Sequence, residues 1–371
     1  MRSGASHEEL AALFSEGRDL ALRSRNDQVL SLLLNGYGFF KVLSGPIDDG
    51  LALIVEAVER ADRTDDAGLR AVVRYSLAQG RLGAGHFRQS LTAADEGLAL
   101  TGGDLTRGAR WIGASPYLIL MGVRGIALSY LGRPGEAGTE LDRAIALAQT
   151  NGQEGLLGFL HQFRVVACEL SGDTPSALAH GRKAVEFAET TGNRLQRYSA
   201  RAYHAIGCVV HGDWQDALLA AELSLEISRE LGLTYNDGTY VTKARAYLGL
   251  GDAAAARTAA EEAISVMRQF GRRFSHCQAQ IVLAQALLRA DGLGARDRAV
   301  LALSEALTFA EESGAKGLEP FVHEALAEVA RVSGDDAALR RELREAHRLF
   351  VEMGATGHAE RIAPLLAESA R

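Results

Sequence analysis

The stretch Ala205-Ile-Gly-Cys-Val-Val-His-Gly212-Asp-Trp-Gln-Asp-Ala217 decides the fold. A helical run stops at a glycine, and a second run opens after a Gly-Asp turn. The same event recurs down the chain. Gly132, Gly172, Gly212, Gly251, Gly292 and Gly334 end one series of helices, at spacings of 40, 40, 39, 41 and 42 residues. Between them lie Gln149-Thr-Asn-Gly152, Glu189-Thr-Thr-Gly192, Arg229-Glu-Leu-Gly232, Arg268-Gln-Phe-Gly271, Glu311-Glu-Ser-Gly314 and Val351-Glu-Met-Gly354, spaced 40, 40, 39, 43 and 40. Two interleaved series with one period mean two helices per repeat, A and B, each ended by a residue that tolerates positive φ.

The packing positions keep this register. Eight residues before the B-helix glycines stand Ala144, Ala184, Ser224, Ala263, Ala306 and Ala346, and small side chains there let a neighbouring helix approach closely. Four before them stand Ala148, Ala188, Ser228, Met267, Ala310 and Phe350. Leu128, Cys168, Cys208, Tyr247 and Leu288 hold the matching A-helix position, so Cys168 and Cys208 read as core residues. Residues 1–102 are read as degenerate helical repeats, with helices over 8–25, 29–43, 50–63, 69–82 and 88–100. Residues 103–115 form an irregular connecting loop, a place for function or for Trp111 pinned against the repeats. Residues 116–356 are the regular repeats. Residues 357–371 form a capping helix, which Pro364 kinks or breaks. The expected fold is all-α: a right-handed α-solenoid of about nine antiparallel helix pairs.

Composition agrees and excludes several classes. Of 371 residues 47% are hydrophobic, 23% charged and 6% aromatic, with 40 glycines but 6 prolines, a balance suited to helices joined by glycine turns. The net charge of −7 exerts no general pull on nucleic acid, and no helix-turn-helix or basic arm is visible. Three scattered cysteines make neither a disulfide framework nor a zinc site. No signal core and no membrane-length apolar run are present, so a cytoplasmic location is expected, with no membrane partner. Only Lys41, Lys183, Lys243 and Lys316 are lysines; the other 36 basic residues are arginines, a bias that a GC-rich genome also produces.

The Gly-Asp turn, the aromatic Trp214 after it and the following Ala217 resemble tetratricopeptide repeats, although a period near 40 exceeds that family's ~34 residues. Longer helices of this kind resemble MalT-like regulators. Ser115-Pro-Tyr117, Arg124-Gly-Ile-Ala-Leu-Ser-Tyr-Leu-Gly-Arg133, Leu318-Glu-Pro-Phe-Val-His-Glu324 and the run from Leu343 to Arg361 are similar to the C-terminal region of bacterial proteins joining a class III nucleotide cyclase, a STAND-type ATPase and tetratricopeptide repeats. The resemblance implies a sensor or regulatory role, with catalysis in upstream domains that this chain does not contain, as a fragment or as a free-standing relative.

Catalytic signatures are missing from the sequence. No lysine sits in a P-loop, Gly80-Arg-Leu-Gly-Ala-Gly85 follows no strand, His323-Glu324 lacks the second histidine of a zincin, and no G-x-S-x-G elbow occurs. The chain is expected to be no enzyme, to need no cofactor and to bind no metal. One constellation stands out. Arg124, Arg164, His204 and Lys243 hold one equivalent A-helix position, and Met121, His161, Arg201 and Tyr240 lie three residues earlier on the same face. Placed inside the groove, Arg124, Arg164, Arg201 and Lys243 would contact an acidic peptide, a carboxylate or a phosphorylated ligand, with His161, His204 and Tyr240 as hydrogen-bonding or stacking neighbours. Pairing with carboxylates of adjacent helices is the competing role. The function expected is therefore a non-catalytic scaffold for a protein, peptide or anionic ligand in bacterial signalling or transcriptional control. Self-association into a dimer, and less so an enzyme site in the groove, are the alternatives.

Overall fold

The computed structural model describes residues 7–369. Residues 1–6 and 370–371, on which the expected lack of a leader and the end of the capping segment partly fall, lie outside the described residues. Among the described residues there is no strand. A single helix α1 (His7–Arg23) leads into α2 (Asp27–Ser44) with α3 (Ile47–Ala61), and α4 (Ala67–Gly83) with α5 (Phe87–Thr101). A one-turn α6 (Ala109–Ile112) interrupts the irregular segment. Regular pairs follow: α7 (Pro116–Tyr130) with α8 (Pro134–Thr150), α9 (Leu157–Ser171) with α10 (Thr174–Thr191), and α11 (Arg194–His211) with α12 (Trp214–Leu231). Then come α13 (Asp237–Gly249) with α14 (Ala253–Phe270), α15 (His276–Asp291) with α16 (Arg296–Ser313), α17 (Glu319–Val332) with α18 (Asp336–Glu352), and a single α19 (Thr356–Ser369). The architecture is an α-solenoid of eight pairs flanked by single helices.

All twelve glycines of the two series adopt positive φ. At Gly172 the chain shows why: the amides of Gly172 and Asp173 both turn back to the Cys168 carbonyl, closing α9, and Asp173 then caps α10 by accepting from the Ser176 amide. Gly292 departs from the pattern, at ψ −131°, because the A-to-B link there is longer and runs through a 3-10 turn over 292–295 before α16. The small B-helix residues are buried as their spacing requires, Ala144, Ala184, Ser224, Ala263, Ala306 and Ala346 each at 0% exposure. Cys168 and Cys208 are core residues, and burial pushes each thiol up to about 12. The helix α19 runs unbroken through Pro364, whose side is solvent-exposed, so the carbonyl it leaves unbonded meets water. The irregular segment is pinned: Asp66, the N-cap of α4, accepts from Arg110 and from Trp111 Nε1 (3.1 Å).

A helices pack on A helices along the inner wall, and the solenoid winds tightly enough for successive superhelical turns to touch. The Thr234 amide donates to the Leu43 carbonyl (3.0 Å), Arg273 and Phe274 amides to Gly83 (3.1 and 3.2 Å), and Gly317 to Tyr130 (2.9 Å). His358 Nε2 donates to the Glu169 carbonyl at 2.7 Å. These partners lie 191, 190, 187 and 189 residues apart, so about five repeats make one superhelical turn. Glycine permits the approach. A Cβ on Gly317 would stand 2.5 Å from the Ser129 carbonyl oxygen, and one on Gly357 2.3 Å from that of Gly172. An aromatic cluster reinforces the contact: Phe87 stacks on Tyr130 at 4.7 Å and touches Phe274 and Phe309.

Candidate functional site

Closure of the superhelix leaves a partly open cavity of about 60 Å³ on the inner wall. Its walls come from A helices α7, α9, α11, α13 and α15 together with the segment that precedes α13. Tyr130, Tyr198, Tyr203, Tyr235 and Phe274 supply the aromatic surface. Burial holds the four phenols above their ordinary pKa, so they remain neutral hydrogen-bonding groups. A second cavity, of about 230 Å³, adjoins it and shares Glu169, Arg245 and Gln278. The Glu169–Arg245 ion pair spans from α9 to α13 at this shared wall. Farther along, Arg361 of α19 grips Glu324 with two bonds of 2.7 and 2.9 Å. The two cavities share the Glu169–Arg245 wall and make up the inner trough.

The link between α12 and α13 supplies part of the trough wall. Residues 232–236 lie outside helix, and α13 starts at Asp237 with Asn236 as its N-cap. The run Tyr235-Asn-Asp-Gly238 explains this, since Asn, Asp and Gly favour turns over helix interiors. Thr234 fastens the segment to Leu43, and Tyr235, Asn236 and Asp237 thereby reach the cavity wall. Behind them Arg272, 0% exposed, donates from Nε to Asp237 Oδ1 (3.1 Å) and from Nη1 to the Val42 carbonyl (2.7 Å), while its guanidinium lies over the Tyr235 ring at 4.2 Å. Asp237 Oδ2, Asn236 Oδ1 and Arg272 Nη2 are buried and have no hydrogen-bond partner.

None of the seven residues singled out from the sequence lies on the wall of this cavity. At roughly 100° per residue, Arg201 and His204 fall on the opposite side of α11 from Ala202, Tyr203 and Ile206, which line it. The row instead follows the seam between A helices and neighbouring B helices. Arg124 bonds Asp95 (2.6 Å) and Glu140; Arg164 bonds Asp142 (2.8 Å) and the Cys168 sulfur (2.9 Å). Arg201 bonds Glu189 at 2.8 Å, and Lys243 lies 3.6 Å from Glu222. His161 and His180 share a 2.7 Å contact between their Nδ1 atoms, and His161 stacks on Phe187. His204 sits 3.7 Å from the Cys208 sulfur, and half-buried Tyr240 packs into the core around α13 and α14. Among the described residues no group of three or more His, Cys, Asp or Glu side chains is placed to hold a metal, and no helix is long and apolar enough to cross a membrane.

The aromatic wall was hidden in the sequence because tyrosines at helical spacing read as core. One signal was available: the α13 repeat alone carries Tyr235-Asn-Asp-Gly238 where a helix start is due.

Comparison with solved structures agrees with this architecture. A Rap protein complexed with Competence and Sporulation Factor matches at a TM-score of 0.56 and 14% identity, over 98% of this chain and 99% of that one. The chain is a TPR-like α-solenoid. The anaphase-promoting-complex heterotetramer Cut9-Hcn1 matches the solenoid at a TM-score of 0.59 and 14% identity, over 97% of this chain and 60% of that one. No family model and no curated protein matches the chain.

Proposed function

We propose that this TPR-like solenoid is a non-catalytic binding module whose inner trough takes an extended peptide, as the sensing part of a signalling or regulatory system. The observation that carries the reading is the trough itself: aromatic walls from consecutive A helices, with hydrogen-bonding groups spaced along it, suit a chain that offers alternating side chains and backbone amides. The chemistry of its walls supports the non-catalytic reading. The acid–base groups at its walls are engaged in ion pairs, and the three buried cysteines have raised thiol pKa values and poor nucleophilicity. The similar Rap protein, solved with its factor bound and matched over nearly its whole length, supports the reading.

The test is selection of ligands from pooled random hexapeptides by the full chain, with mass-spectrometric readout. Ala202 lines the cavity, and Ala202→Trp fills it. Retained peptides should lose at least about tenfold in affinity for Ala202→Trp, the scale expected when a pocket is blocked. Equal binding by both proteins would refute the trough as the site.

A further inference from the structure

We propose that the tyrosine-lined cavity of the trough is an anchor pocket for one small, uncharged, branched side chain of the bound peptide, a valine or isoleucine. The inference rests on the inner trough being the ligand site and names the side chain that enters it.

Size sets the first limit. A cavity of roughly 150 Å³ between apolar walls admits a benzene ring, and a water-sized group takes up roughly 30 Å³. The tyrosine-lined cavity offers about 60 Å³ and is partly open, so it takes roughly two or three carbons beyond a Cβ and no aromatic ring. Ala202, Ile206, Tyr235 and Phe274 line it and are only half-buried, so an occupant reaches their apolar surface. Charge sets the second limit. The charged residues on the wall are already engaged, Glu169 with Arg245 and Asp237 with Arg272. Ser199 likewise donates to Gln162 (2.6 Å) and Thr242 to the Gly238 carbonyl (2.9 Å). The unpartnered oxygens of Asn236 and Asp237 have almost no accessible surface and do not meet the occupant. A charged side chain entering here would lose its water and gain no counter-charge, whereas burying an aliphatic one is favourable. Branching at Cβ completes the fit, because such a side chain is stiff and gives up little rotamer freedom on entering. The adjoining cavity of about 230 Å³ leaves room for bulkier neighbours in the same peptide.

The test takes a hexapeptide retained by the full chain, remakes it with glycine, valine, phenylalanine or lysine at each position in turn, and titrates each by calorimetry. At one position valine should bind at least about tenfold tighter than each of the other three, the discrimination that one misfitting methylene gives in an apolar pocket. Ile206→Ala should then cut the phenylalanine penalty at that position several-fold, because the shortened side chain enlarges the cavity. Equal weakening of all four peptides would instead make Ile206 merely structural and overturn the assignment. Should Ile206→Ala fail to fold, Ala202→Gly opens the same wall by one methyl and takes its place. No position preferring valine, or a phenylalanine penalty that the enlarged cavity does not relieve, overturns the anchor pocket while leaving peptide binding in the trough intact. A pool that yields no retained hexapeptide overturns both.

Discussion

The two faces of each central A helix make opposite use of polar chemistry. On the outer seam, Arg124, Arg164, Arg201 and Lys243 each meet a carboxylate of a neighbouring B helix, so the charges that look functional are engaged in holding helices together. On the inner wall, tyrosines and Phe274 surround two buried acceptors that nothing satisfies. Ion pairs fasten the seam, and aromatic surface lines the inner wall.

The harshest way to break this contrast is Arg272→Met. Removing the guanidinium leaves Asp237 buried without a counter-charge, and denaturant unfolding should show a loss of about 3–5 kcal/mol. Superhelical closure should loosen with it, since Arg272 also bonds Val42 from the first turn, and small-angle scattering would register the expansion. An unchanged midpoint and radius of gyration would mean that the inner pair does not fasten the turns.

Acid should act next, and on the seam. Burial lowers His161 and His180 each to about 4, with the neighbouring His180 adding to the effect on His161. Both rings are thus neutral when folded and take up protons near 6.5 once unfolded, so stability is full above that value and falls as pH drops from 6.5 towards 4. By pH 5 the loss is on the order of 2 kcal/mol for the fully buried His161. Thermal melts of the chain and of His161→Phe at pH 7 and pH 5 would check this, the variant showing the smaller decline.

The mildest effect sharpens the contrast most. Replacing Arg164 and Arg201 together with alanine should cost about 1 kcal/mol or less per pair, because Asp142 and Glu189 are substantially exposed and water screens them. The affinity of a trough-selected peptide should not change. A loss of binding matching that of Ala202→Trp would return the site to the outer row.

Much of the architecture was readable because it rests on local rules. Turn glycines and small B-helix positions act within a repeat or between nearest neighbours, and every one of those glycines took the positive φ its place implied. The 3-10 link after α15 was harder to see because it depends on a loop length that the period averages out. The site was less legible. Helical spacing put Arg164, Arg201 and His204 on one face correctly, but spacing alone does not say which face turns inward.

The repeating sequence by itself determined that this chain builds A and B helices of one register and stacks them, since those choices depend on φ at turn glycines and on side-chain volume a few residues away. The tertiary structure decided how tightly the stack winds. Contacts between residues nearly 190 positions apart, permitted by Gly317 and Gly357, place Tyr235, Asn236 and Asp237 on the wall of the inner trough. The phrases Gly314-Ala-Lys-Gly317 and Gly354-Ala-Thr-Gly357 do bear on that closure. Their meaning lies in a backbone one superhelical turn away, and a small rotation accumulated over about five repeats determines whether that backbone arrives.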